Sequence, residues 1–110
     1  MRSLEEVLQL KRELDSMFGN PKAKTYDAIL TQMGLTVPQI TGGTKEINFQ
    51  KRELIEMSLR QELIRLKQFK PGDEVTYSAE PGRIECILPT GEVVFKSNRG
   101  LVQKVSPFHL

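Results

Sequence analysis

The chain has 110 residues, of which 38% are hydrophobic and 27% charged, with a formal net charge of +2. That length suits one compact domain, or a small helical domain joined to a very small β-domain, and the charge is too small to mark the whole chain as a nucleic-acid binder. A single cysteine and a single histidine exclude an internal disulfide, a Cys-pair metal site, a zinc cluster and most histidine-based catalysis.

No apolar run approaches the roughly 18 residues of a membrane span. The opening "MRSLEEVLQL" turns acidic at once and lacks a signal-peptide core, so the expected location is the cytoplasm, away from membranes. Charge is unevenly spread. Residues 1–68 carry eleven Lys/Arg against nine Asp/Glu, and residues 69–110 carry five of each. Any electrostatic footprint is therefore expected on the helical part or on a local face of the β part.

In chain order, "SLEE" opens a first helix, with Ser3 as cap and Glu6 completing a capping box. Leu4, Val7, Leu8, Leu14, Met17 and Phe18 follow at helical spacing. Gly19 is the expected C-cap residue, and Asn20–Pro21 starts a new element. The second helix is expected from about Pro21 to Met33. Tyr26, Ile29, Leu30 and Met33 make one face, and Gly34 stops it. So short a connection implies a helical hairpin.

The stretch "LTVPQITGGTKEINF" reads as irregular, with Thr41–Gly42–Gly43–Thr44 as a hairpin turn between short extended pieces and Asn48 as the next N-cap. The third helix is expected from about Phe49 to Gln68. Ile55, Leu59, Leu63, Leu66 and Phe69 form one apolar stripe, and Leu54, Met57 and Ile64 form a second. A helix apolar on two sides is usually sandwiched, either within the chain or in a homodimer through this helix. Glu56 and Arg60 are spaced as a favourable pair.

After residue 68 the period changes from 3.6 to 2. Val75, Tyr77 and Ala79 alternate, then Ile84, Cys86 and Leu88, then Val93 and Phe95, then Leu101 and Val105. Turn signals stand between them at Glu80–Pro81–Gly82, Pro89–Thr90–Gly91 and Asn98–Arg99–Gly100. Four short strands in about 40 residues match the size of a small SH3-like barrel. "VSPFHL" is expected to supply a last turn and strand, with Phe108 and Leu110 closing it.

The segment "FKPGDEVTYSAEPGRIECI" resembles the opening of Tudor-like and KOW-like barrels, through Phe69, Gly72, Asp73, Val75, Tyr77, Gly82 and Ile84. It is particularly similar to the RNA-polymerase-interaction domain of CarD-type transcription regulators. The resemblance covers about a third of the chain, and nothing comparable is found in residues 1–68. It implies a binding module of transcription or translation machinery and does not itself supply a partner; the expected partner is RNA polymerase or another protein of the transcription or nucleic-acid machinery.

Each chemical motif has a plainer structural counterpart. "PGD" at 71–73 is a turn, with Asp73 bonding nearby backbone N–H groups. "TGGTK" at 41–45 lacks the spacing of a phosphate loop and reads as a glycine turn. Lys51, Arg52, Arg60, Arg65, Lys67 and Lys70 cluster around the third helix, diluted by Glu53, Glu56 and Glu62, as a solvated face or as phosphate contacts. A second cationic group is Arg83, Lys96, Arg99 and Lys104. Tyr77, Phe95 and Phe108 are the candidate aromatic platform, although alternation places Phe95 in the core. Cys86 is expected to be a small buried hydrophobe. His109 has no evident catalytic partner.

The sequence thus predicts an α+β protein with two domains. Residues 1–68 form a helical hairpin and a long third helix, and residues 69–110 a four- to five-stranded SH3-like barrel of Tudor or KOW type. The expected function is non-catalytic binding in the transcription or nucleic-acid machinery, with no cofactor and no metal. Arg83, Lys96, Arg99, Lys104, Tyr77, Arg65, Lys67 and Lys70 would contact protein, DNA or RNA. The alternative is a protein–protein adaptor or inhibitor, of the kind a phage or mobile element encodes, acting through the second stripe or the loop at 36–47.

Overall fold

The computed structural model describes residues 2–17, 25–36 and 42–110, with the Thr44 side chain left aside. The chain divides into two compact units, Met1–Leu59 and Arg60–Leu110. The protein is α+β: among the described residues, three helices precede a four-stranded antiparallel sheet. Among the described residues, no helix is long and apolar enough to cross a membrane.

The first unit is helical. Helix α1 spans Leu4–Ser16. The Ser3 hydroxyl accepts from the Glu6 N–H at 3.2 Å and donates to the Glu6 carboxylate at 3.4 Å, so the capping pair forms through side chains. Val7, Leu10 and Leu14 are its buried residues. The helix ends at Met17, whose N–H bonds the Leu14 carbonyl; Phe18, Gly19, Asn20 and Pro21 lie outside the described residues. Helix α2 spans Tyr26–Met33, later than expected, because Thr25 is extended and its hydroxyl caps the Ala28 N–H at 3.2 Å. Gly34 ends it at φ 72°, and Leu35 N–H reaches back to Leu30 O, a Schellman closure that favours glycine.

Helix α3 spans Thr44–Lys67 and starts five residues before the expected Phe49. Gly43 O already accepts from Ile47 N–H at 3.0 Å. Gly42 and Gly43 thus lead into a helix rather than a hairpin turn, and Asn48 is an exposed helical residue rather than a cap. Thr41 lies outside the described residues. Ile55, Leu59 and Leu63 are fully buried on the expected stripe, while Leu54, Met57 and Ile64 are half-buried. Lys11 and Arg52 both reach Glu56, at 3.4 and 3.1 Å, and Lys51 pairs with Asp27 at 2.8 Å.

The second unit holds strands β1 (Glu74–Tyr77), β2 (Glu80–Ile87), β3 (Val93–Ser97) and β4 (Val102–Val105), followed by a short 3-10 turn at Pro107–His109. The strands pair in chain order, all antiparallel. Two expectations change here. No ladder joins β4 to β1, so the sheet is an open meander and not a closed barrel. Residues 107–109 wind into a capped turn, with the Ser106 hydroxyl accepting from Phe108 N–H, and form no fifth strand.

The first hairpin also differs. Its turn is Ser78–Ala79, at φ 52° and 64°, a two-residue connection of the I′ kind that suits strand twist. Glu80, Pro81 and Gly82 belong to β2. Gly82 is a strand glycine because Phe95 lies on it: a Cβ there would sit 2.6 Å from the ring and collide with the Lys96 carbonyl. The other two turns are where expected. Gly91 and Gly100, at φ 83° and 90°, close them onto Leu88 O and Ser97 O. Arg60 and Gln61 in turn hold the β2–β3 turn, donating to Thr90 O at 3.1 Å and Pro89 O at 2.7 Å.

The core of this unit is Ile84, Val93, Phe95 and Val105, flanked by Ile64, Phe69, Val75, Tyr77, Ile87 and Leu110. The last turns of α3 therefore cover one face of the sheet. The compact unit that holds the sheet accordingly begins at Arg60.

Two neighbouring substitutions should move stability in opposite directions. Gly82→Ala should cost about 1–3 kcal/mol by overpacking against Phe95, whereas Ala79→Gly should add about 1 kcal/mol by removing a left-handed conformation that disfavours a Cβ. Urea unfolding of the three proteins measures both effects.

Candidate functional site: the outward sheet face

Alternation along β3 buries Val93, Phe95 and Ser97 and turns Val94 and Lys96 outward. The ladders then assign the rest. Glu74 pairs with Arg83, Arg83 with Lys96, and Lys96 with Val102. These four residues form one row across all four strands, and all four are exposed. A second row runs Cys86–Val94–Lys104. The outward face thus carries three cations, Arg83, Lys96 and Lys104, bordered by the exposed acids Glu74 and Glu85.

The exposure of Cys86 corrects the expectation that it is buried. The ladder shifts register between Ile84 and Cys86, so Glu85 is an extra residue in β2. A β-bulge of this kind moves every later residue to the opposite face. Ile87, not Cys86, accompanies Val93 toward the core.

Arg83 and Lys96 face each other directly. Opposed side chains in a ladder have Cβ atoms about 4.5–5.5 Å apart, and like charges there are destabilising. Among the described residues neither cation makes an ion pair. Lys104 is the diagonal neighbour of Lys96, about 7–8 Å away by ladder geometry. A shallow recess of about 350 Å³ adjoins Arg83, with Glu74, Thr76, Pro81 and Asn98 in its lining.

The other expected site residues are placed differently. Arg99 stands in the β3–β4 turn and donates to Glu80 at 2.7 Å. This hydrogen bond, and then the Glu80 charge, raise the guanidinium above its ordinary pKa, and Glu80 gives Arg99 a counter-charge that, among the described residues, Arg83 and Lys96 lack. Arg65 and Lys67 are exposed near the end of α3, with Lys67 Nζ 5.8 Å from the Phe69 ring. Lys70 is exposed in the loop that follows, where Asp73 accepts from the Lys70 backbone N–H at 3.0 Å. Because Ile64 and Phe69 of this segment pack on the inward core, the two cationic groups do not form one patch.

Tyr77 and Phe95 are not an exposed platform. Phe95 is wholly buried, and the Tyr77 ring packs against it at 5.8 Å and edge-on against His109 at 6.4 Å. His109, which lacks an evident partner in the sequence, thus has an aromatic one. Lys51 and Arg52 are held by Asp27, Asp15 and Glu56. Among the described residues no three His, Cys, Asp or Glu side chains are placed to hold a metal ion.

Glu74, Val94 and Val102 share the face with the cations and escaped the sequence reading. Their membership depends on which residues pair across strands. Cys86 tests this register: in the folded protein a maleimide should label it at a rate approaching that in urea, whereas protection by more than about tenfold would return it to the core.

No protein-family model, no curated protein and no solved structure matches the chain.

Proposed function

We propose that this chain is a non-catalytic binding protein of the transcription or nucleic-acid machinery, with the outward face of its sheet as the contact surface. The observation that carries this reading is the Arg83–Lys96 pair. Two exposed cations oppose each other across adjacent strands, an arrangement that costs the fold stability. An anionic partner relieves that repulsion, and Lys104 extends the same positive face. Arg99 contributes little, since Glu80 already holds it.

In this reading the sheet is an opened form of the SH3-like barrel whose opening residues 69–87 resemble. Short antiparallel strands and a bulge in the second are elements from which such barrels curve. Sequence-independent contact with phosphates is what Arg and Lys on a β-face supply. A second reading is contact with a protein, RNA polymerase among the candidates. It is favoured by Val102, a large apolar residue 59% exposed in the same row as the cations.

Lys96→Glu separates function from folding. It places a carboxylate opposite Arg83, so it should raise stability by about 0.2–1 kcal/mol while removing binding. Capture from native lysate on the immobilised chain, with and without nuclease, measures the second effect. Wild type should retain nuclease-sensitive nucleic acid and the variant should not. A protein that survives nuclease and still depends on Lys96 establishes the adaptor reading instead. Equal capture by both chains removes the outward face from consideration.

A further inference from the structure

We infer that the ligand of the outward face is the phosphate backbone of a double helix, held without base stacking. This inference rests on the nucleic-acid reading above and narrows it. Proteins that hold single strands combine a positive groove with aromatic side chains on which successive bases stack. The sheet unit has four phenylalanine or tyrosine rings, and three of them belong to the inward core. Phe95 is buried, and Phe69 and Tyr77 pack against the same inward core. Phe108 is half-buried in the 3-10 turn after β4.

What the face offers a polyanion is charge, in a defined arrangement. Arg83, Lys96 and Lys104 stand on three successive strands, β2, β3 and β4. With strands about 4.8 Å apart, the stripe is about 10 Å wide. Over that distance a duplex presents several phosphates, since it carries one charge per about 1.7 Å of axis. Val94 and Val102, which pair with Lys104 and Lys96, have no hydrogen-bonding group to read base edges. Contacts of this kind fix position and carry no sequence information. The acids Glu74 and Glu85 border the stripe on β1 and at the bulge, and confine a polyanion to the β2–β4 side.

The test is fluorescence anisotropy of the full chain with a labelled duplex of about 20 base pairs and with each of its separated strands, between about 50 and 200 mM salt. The duplex should bind at least about tenfold tighter than either strand. Release of counterions by three cations should weaken duplex binding about 40-fold across that range, and Arg83→Gln with Lys96→Gln should reduce the loss to about 3-fold. Both side chains are exposed, and a melting curve confirms that the double variant is folded. Equal or tighter binding of single strands overturns this inference and leaves the nucleic-acid reading standing. Binding of neither form overturns both. A salt dependence unchanged in the double variant places the contact elsewhere and also overturns it.

Discussion

A phenylalanine ring lying on a glycine governs the sheet unit. Phe95 is wholly buried, and it approaches β2 so closely at Gly82 that no Cβ fits between them. Because side chains alternate along a strand, burying Phe95 also buries Val93 and Ser97 and sends Val94 and Lys96 outward. Pairing across the ladders then assigns Arg83, Val102 and Lys104 to the same outward side. The composition of the exposed face is therefore a consequence of how the core is filled. A one-residue slip would exchange the two faces completely.

Two further features hold this arrangement in place. The bulge at Glu85 realigns β2 so that Ile87 rejoins the core after Ile84. Without it the second half of the strand would present Cys86 inward and Ile87 to solvent. At the other end, Arg60 and Gln61 donate to carbonyls of the β2–β3 turn, and Gly91 allows close approach, since a Cβ there would lie 2.6 Å from Arg60 Cβ. The end of α3 is thus part of the sheet's own core. A sheet of four short strands needs such cover on one face to be stable, and covering one face leaves the other available.

The helical unit follows a simpler logic. Its helices are capped by local side chains, Ser3 and Thr25, and α2 is terminated by Gly34. Its charged residues largely satisfy one another: Lys11 and Arg52 converge on Glu56, and Lys51 takes Asp27. Surface pairs of this kind contribute little stability each. They do withdraw Lys51 and Arg52 from the cations that could meet a ligand, and this leaves the sheet face as the better candidate.

Local chemistry alone determined several parts of this protein. The 3.6-residue spacing of Ile29, Leu30 and Met33, and of Ile55, Leu59 and Leu63, marked faces that are buried. The change to alternation after residue 68 marked the β region, and glycines at 91 and 100 marked two of its three turns. The class α+β followed from these. Other features depended on residues distant in sequence. Glu80–Pro81–Gly82 has turn composition, yet it is a strand because Phe95 requires a glycine beneath it. Cys86 alternates with Ile84, yet it is exposed because a bulge intervenes. Arg99 resembles the other cations in sequence, yet Glu80, nineteen positions away, neutralises it. Strand pairing and register arise from contacts between separate segments, and only the tertiary structure decided which of the basic residues stand together on one open face.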